Sequence, residues 1–469
     1  MAQSTKNLVG LTGVPLVMVL GNSMLIPVLP TMKGELDLTS FQTSFLITAF
    51  SISAGLVIPF AGYLSDRFNR KVVITIALAL YGIGGLLAGL ASLWLDQPYG
   101  VIMAGRVLQG IGAAGTAPIA LALVGDLFNG ASESRALGLM ETSNGLGKVL
   151  SPIVGSLLAL IAWYMVFLAF PIICGAVLLL FFFMVKEKKQ QKKAMEVKQY
   201  LHSIKQVFHQ HGRWLVPAFF IGTICLFTLF GVLVYLSDLL EDKYKIDGVK
   251  KGLFLAIPLL TMSITAYITG IVIKKKLNLM RAFVIIGMIM LAVSYFIASF
   301  VQGAYLLIGV LLIGSVGTGI ILPCLNSMIV GSVKKTERGM ITSLYSGVRF
   351  VGVAIGPPIF TWLEGISRNV MFYSIAGLSL LFAIVAFIWL KPQQTQAHQS
   401  KQGAAAKQGE QADEAEIESA GLKQVAEILQ IKTESPEEKQ QRQAKEKLGF
   451  DADGLVEHLL RGGKKEKGK

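Results

Sequence analysis

The sequence of 469 residues has few charged side chains, few cysteines and no motif for catalysis. Only 15% of the residues are charged and 53% are hydrophobic, which is more apolar than a soluble domain of this size. Cys174, Cys225 and Cys324 lie in apolar runs, without the spacing of a metal site. The absence of a GxxxxGK[ST] motif and of a nucleophile–base pair argues against ATP drive and against an enzyme. No cofactor is expected.

The basic side chains are concentrated between the apolar runs and in the C-terminal tail. The formal net charge is +14, but this placement is explained better by membrane topology and anionic lipid headgroups than by nucleic acid. We therefore expect the lipid bilayer as a partner and no nucleic acid. The first apolar run is long enough to span and has no small-residue cleavage site, so it is expected to be retained as a span.

Apolar runs of about 20 residues, the length a helix needs to cross the hydrocarbon core, recur over the first 391 positions. They predict an all-α polytopic membrane protein with twelve transmembrane helices, placed near 8–30, 42–64, 72–94, 99–125, 135–160, 162–185, 214–238, 250–273, 281–302, 304–330, 339–363 and 369–391. Lys and Arg are concentrated in the connections on the side of the termini. The positive-inside rule then predicts cytoplasmic termini of a multi-pass protein in the cell membrane.

The spans form two halves that resemble each other weakly. The run from Gly110 resembles the run from Gly314, and Arg135 opens the fifth span as Arg338 opens the eleventh. Such repeats predict a binding site near the midplane and alternating access by rocking of one half on the other. The predicted units are the N-terminal six-helix half (1–185), a basic cytoplasmic linker (186–213), the C-terminal six-helix half (214–391) and a polar tail, disordered or with short helices (392–469).

A charged turn, GYLSDRFNRK at residues 62–71, lies between the second and third apolar runs. It resembles the signature loop of the major facilitator superfamily and implies that fold, with two pseudo-symmetric halves. The resemblance further implies that Asp66 meets the start of the eleventh span and that Arg70 pairs with Asp126. Alternatively, these charges only set topology. The predicted conformational switch comprises Gly62, Asp66, Arg67, Arg70, Lys71 and Asp126.

The fourth span carries an arginine several residues inside the membrane, Arg106, followed by Gln109 and Gly110. This run resembles the second motif of the superfamily, which implies a part in proton coupling or in holding the helix bundle. A charge at that depth costs a few kcal/mol on insertion scales, so Arg106 needs a polar partner or water. The alternative is a side chain that snorkels to the interface.

The fifth span contains small residues spaced by four, at Gly147, Ser151 and Gly155, together with Pro152. This run resembles the motif that marks exporters of the superfamily. The spacing predicts one flat helix face that allows close approach of another helix, and Pro152 predicts a kink. Helix packing alone could explain the pattern. The second half repeats it with Gly352, Gly356 and Pro357.

Ionisable residues within predicted spans mark candidate functional sites. Helical periodicity places Glu141, Asn144 and Lys148 on one stripe of the fifth span, and Arg349 lies at similar depth in the eleventh. Glu141 is the one carboxylate found well inside a span and is the first candidate for proton coupling. Alternatively, Glu141 and Lys148 only neutralise each other.

The resulting prediction is a secondary active transporter of the superfamily, a monomer, that exports a small amphipathic compound or drug in exchange for protons. An alternative is transport of an organic anion or a lipid-linked metabolite through Lys148 and Arg349, since Arg106, Lys148 and Arg349 outnumber Glu141 inside the bundle. A third alternative is a non-transporting membrane sensor or scaffold that signals through its tail. The Asp66–Arg70–Asp126 switch argues against it, because a scaffold does not need to alternate between two conformations.

Overall fold

The computed structural model of this chain describes residues 3–129, 131–187, 197–273, 276–333 and 338–391. Every regular element in these ranges is a helix, as the apolar runs predict. The polar tail (392–469) lies outside the described residues.

The described helices follow the predicted order of spans. In the first half they are α1 (Gln3–Ser23), a short 3₁₀ helix (Ile26–Val28), α2 (Leu29–Glu35), α3 (Ser40–Arg67), α4 (Arg70–Trp94), α5 (Tyr99–Ala114), α6 (Ala117–Leu127), α7 (Ala131–Ala159) and α8 (Met165–Met184). In the second half they are α9 (Val197–Asp242), α10 (Gly248–Val272), α11 (Leu277–Ala298), α12 (Ala304–Ser332), α13 (Arg338–Ile366) and α14 (Arg368–Trp389).

Eleven helical segments of the described chain are long and apolar enough to cross a membrane. The fifth predicted span, α7, is not among them, although its 29 residues are long enough for a crossing. Its sequence is more polar because it carries Glu141 and Lys148 inside the helix. With twelve alternating crossings, α1 begins and α14 ends on the same face of the bundle. We call this the terminal face and the other the opposite face.

Two spans of the first half are interrupted helices, where the sequence predicts single runs. The first breaks after Ser23 and restarts with Pro27 in the first turn of the 3₁₀ helix. The fourth breaks at Gly115–Thr116 and restarts with Pro118 in the first turn of α6. Proline fits these positions because the first N–H groups of a helix have no intrahelical acceptor. At the first break, the carbonyl oxygens of Gly21 and Ile26 accept side-chain hydrogen bonds from other helices.

The two halves repeat the same close helix contact. A methyl group added at Gly84 of α4 would lie 2.7 Å from the carbonyl oxygen of Gly105 in α5. In the second half, a methyl group at Gly287 of α11 would lie 2.8 Å from the carbonyl oxygen of Gly317 in α12. Small residues allow backbones to approach in this way where apolar burial alone cannot hold helices together.

Helix α9 begins within the segment that the sequence assigns to the linker and continues through the seventh span, for 46 residues. Its first part packs against both halves: Tyr200 meets Tyr63 of α3 with ring centres 5.1 Å apart, and Phe208 meets Phe219 of the seventh span with ring centres 5.7 Å apart. Val207 between them is buried. Apolar side chains at helical spacing, such as Tyr200, Ile204 and Val207, explain why this polar segment is helical.

Candidate functional site

The charged turn between α3 and α4 makes the contact predicted for its second arginine. Arg70 Nε lies 3.2 Å from Asp126 Oδ2 at the end of α6, on the terminal face, which confirms this pairing. Gly62 lies against α13, since a methyl group there would be 2.6 Å from Ser343 Oγ. Arg67 is exposed, and the side chain of Asp66 lies outside the described residues. The turn thus joins α4 to α6 and brings α3 against the eleventh span.

The same turn makes a second set of contacts that the sequence does not predict. Lys71 Nζ donates to the carbonyl oxygens of Phe182 (2.7 Å) and Val185 (2.6 Å) at the end of α8. The Glu187 carboxylate accepts from the backbone N–H of Lys71 (2.8 Å) and of Arg70 (3.3 Å). A lysine at a helix C-terminus and a glutamate at a helix N-terminus both oppose the helix partial charges. Only the fold could pair these residues, because they are more than 100 positions apart in the chain.

Arg106 is completely buried in the first half and does not snorkel. It donates hydrogen bonds to the carbonyl oxygens of Gly21 (2.8 Å) and Leu46 (3.0 Å) and to the side-chain oxygens of Asn22 (2.6 Å) and Gln109 (2.8 Å). Its guanidinium also lies over the Phe50 ring, 4.6 Å from the centre. These acceptors belong to α1, α3 and α5, so one side chain joins three helices beside the break in the first span.

The small residues of α7 face the first span. A methyl group at Gly155 would overlap the carbonyl oxygen of Met24, and one at Gly147 would lie 3.4 Å from Leu16. Between them, Ser151 Oγ donates to the carbonyl oxygen of Gly147. Pro152 is buried and lies against α10, because a methyl group at Gly252 would be 2.6 Å from the Pro152 carbonyl oxygen. The predicted flat face is therefore in contact with α1.

The second half repeats this packing between α13 and α9. A methyl group at Gly352 would overlap the carbonyl oxygen of Thr223, and one at Gly356 would lie 2.5 Å from that of Phe227. Pro357 follows as a buried residue. In this register Gly352 corresponds to Gly147, and Gly356-Pro357 corresponds to Ser151-Pro152.

The ionisable residues of α7 and α13 come together across the two halves. Lys148 and Asn144 are half-buried and Glu141 is exposed. Lys148 interacts electrostatically with Glu141 on its own helix and with Arg349 of α13. Arg349 is half-buried, with its guanidinium 4.7 Å from the ring centre of Tyr345. Two cations and one carboxylate therefore share this region, and they can attract an anionic group on a bound molecule.

Two further carboxylates lie on spanning helices. The apolar runs predict that the seventh and eleventh spans end at 238 and 363, but α9 extends to Asp242 and α13 to Ile366. Asp238 and Glu364 are half-buried near these helix ends, on the opposite face. The apolar runs give no signal for them, because hydropathy falls before the helices end.

The fold, the signature turn and the repeated packing agree with a comparison against protein families. The sequence matches the family model described as the Major Facilitator Superfamily over residues 11–283 and 252–436. The chain belongs to the major facilitator superfamily. Within that superfamily it is a membrane transporter of the efflux type and not an enzyme.

Two relatives match most of the sequence of this superfamily member. It is 46% identical over 378 residues to the bacillibactin exporter of Bacillus subtilis (strain 168), covering 80% of this chain and 94% of the relative. It is 26% identical over 382 residues to the class C tetracycline resistance protein of Escherichia coli, covering 78% and 92%.

A solved structure has the same fold. A bacterial homologue of the human lysosomal transporter Spinster, in an inward-facing and unoccupied conformation, matches with a TM-score of 0.69 at 14% identity. The match covers 85% of this chain and all of that one.

Proposed function

We propose that this transporter exports bacillibactin or a related small organic molecule that carries negative charge, in exchange for protons. The observation that carries the charge preference is that Lys148 of α7 and Arg349 of α13, one from each half, are near enough to repel each other electrostatically. The 46% identical exporter supports the nature of the cargo. Cations facing each other across the two halves repel, and a bound anion removes that repulsion.

We also propose that the terminal face is cytoplasmic. The connections on this face carry most of the basic residues between spans, which matches the positive-inside rule. In this orientation the Arg70–Asp126 contact lies at the cytoplasmic ends of α4 and α6. This contact stabilises one of the two conformations of alternating access, together with the Asp66 side chain that the superfamily signature implies.

Glu141 supplies the proton-binding group of this proposal. It lies on α7, on the same helix stripe as Lys148, with which it interacts electrostatically. Exchange requires that cargo and proton occupy the transporter alternately. In this proposal Glu141 is unprotonated and paired with Lys148 while cargo is bound, and it carries a proton across the membrane after the cargo has left.

The test is net transport by the purified chain in proteoliposomes that contain an internal pH dye. A gradient of bacillibactin, a zwitterion or a cation of similar size is imposed, and proton movement is recorded. We expect proton movement with bacillibactin, its loss in Lys148→Ala, and wild-type movement in Lys276→Ala, an exposed lysine at the start of α11. Proton movement with cations alone would overturn the charge preference and favour drug export of the kind named for the tetracycline resistance relative.

The Glu141→Gln variant tests the proton step separately. It should still exchange labelled cargo for unlabelled cargo across the membrane, since exchange needs no net proton movement. It should not concentrate cargo against a gradient. Pumping by Glu141→Gln at the wild-type rate would exclude proton coupling through this residue.

A further inference from the structure

A cluster of charged side chains lies where the two halves meet on the opposite face. Lys33 of α2 belongs to the first half, whereas Asp238 of α9 and Glu364 of α13 belong to the second. All three side chains are half-buried. Asp238 interacts electrostatically with Glu364 and with Lys33, and Glu364 interacts with Lys33. A single cation of one half thus faces two carboxylates of the other.

Direct hydrogen bonds between the halves flank this cluster. Ser237 Oγ, next to Asp238, donates to the carbonyl oxygen of Ile26 in the 3₁₀ helix (3.0 Å). One turn before Glu364, the hydroxyl of Thr361 lies 2.8 Å from that of Ser44 in α3. The cluster therefore occupies a closed contact between the halves, and its charges are only partly screened by water.

Lys33 is the cation of the first half that interacts with both Asp238 and Glu364. Lys251 of α10 also interacts with Asp238, but it is buried and forms a salt bridge with Glu241 within the second half. Asp242 adds a further negative charge beside both Asp238 and Glu364. Without Lys33, the second half would present excess negative charge to the contact.

We propose that Lys33, Asp238 and Glu364 form an ionic latch that holds the opposite face closed. The latch joins one half to the other, whereas the Arg70–Asp126 contact lies within the first half. In the orientation proposed above, cargo leaves through the opposite face, so the latch opens once in each transport cycle. The inference rests on the proposed alternating access, but it concerns the resting balance of the two conformations and needs no cargo.

The described geometry suits a latch that opens. No described carboxylate oxygen lies within 4.0 Å of Lys33 Nζ, so the attraction acts through space and not through a fixed salt bridge. Such an attraction falls steeply as the halves separate, and it weakens with ionic strength. The two flanking hydrogen bonds use hydroxyl groups, which water can satisfy when the face opens.

The test is a distance measurement across the opposite face of the full chain in lipid nanodiscs. Spin labels at Phe41 and Ile366, exposed residues at the ends of α3 and α13, report the separation of the halves. In Lys33→Gln we expect the ratio of open to closed molecules to rise about two- to fivefold, within the range for a partly exposed charge interaction. Lys250→Gln, an exposed lysine of α10 on the same face, should leave the ratio unchanged.

Two further measurements separate a latch from a structural role of Lys33. The double variant Lys33→Asp with Asp238→Lys should return the ratio towards the wild-type value, while Lys33→Asp alone should raise it most. Added salt should open the wild type more than Lys33→Gln. An unchanged ratio in a folded Lys33→Gln, or no recovery in the double variant, would overturn the latch. Because no cargo is present, neither result bears on the export proposal.

Discussion

Replacement of Arg106 with methionine tests the role of this side chain in holding the first half together. Methionine has a similar length and keeps the apolar contacts, but it leaves four hydrogen-bond acceptors without their donor: the carbonyl oxygens of Gly21 and Leu46 and the side-chain oxygens of Asn22 and Gln109. Water does not reach the site, because the arginine is completely buried.

The size of the effect follows from these contacts. Hydrogen bonds between membrane helices are worth about 0.6 kcal/mol each on average, and an unsatisfied buried acceptor costs about 1–3 kcal/mol. Removing the buried charge recovers part of this cost. We therefore expect Arg106→Met to lower the free energy of unfolding by about 2–4 kcal/mol.

The assay is denaturant unfolding in mixed micelles, followed by circular dichroism, with Arg135→Met as the matched control. Arg135 is an exposed arginine at the start of α7, and its replacement should change the free energy of unfolding by less than about 0.5 kcal/mol. A loss below about 1 kcal/mol in Arg106→Met, close to that of the control, would refute the argument. Arg106 would then act in coupling and not in stability.

Two more predictions concern the switch and the exporter motif. Asp126→Asn removes the charge pairing with Arg70 and should shift the ratio of the two conformations about two- to fivefold, because the pair is only partly exposed; spin-label distances across the terminal face measure this, and an unchanged ratio would reject the switch role. Gly155→Ala should lower the free energy of unfolding by about 1–3 kcal/mol through overlap with the Met24 carbonyl group at the break in the first span. Gly138→Ala on the same helix should not destabilise the protein, because its methyl group would meet no described atom of another helix within 4 Å. Equal effects of the two alanines would contradict the packing described for α7.

The spans and their pairing were predictable from sequence because both follow from local rules. An apolar run of sufficient length becomes a membrane helix whatever its partners. The spacing of Gly147, Ser151 and Gly155 predicts a flat face, and the weak repeat predicts that Gly352 and Gly356 form its counterpart. The structure places these faces against α1 and α9.

Contacts between distant charges were not predictable in the same way. Glu187 was part of a basic linker in the sequence, and only the fold brings it to the start of α4. Lys33, Asp238 and Glu364 lie at three helix ends, and no spacing connects them. Hydropathy also misses helix ends, since the polar first part of α9 and the ends of α9 and α13 are helical despite their composition.

Arg106 is intermediate between the features that the sequence predicts and those that it does not. Its depth in the fourth span implied that it needs polar partners, but not which ones. The partners include backbone carbonyl oxygens made available beside the break in the first span, and that break is not visible as an interruption of the apolar run. The signal that could have indicated it is Pro27, which favours a new helix start.

Exchange of labelled bacillibactin in proteoliposomes, at equal pH on both sides, tests most directly whether Lys148 and Arg349 neutralise an anionic cargo. Wild type and Glu141→Gln should exchange the label at similar rates, while Lys148→Gln and Arg349→Gln should each be slower by about tenfold, the equivalent of one charge interaction of about 1.4 kcal/mol. Exchange at the wild-type rate by both cation variants would contradict the account.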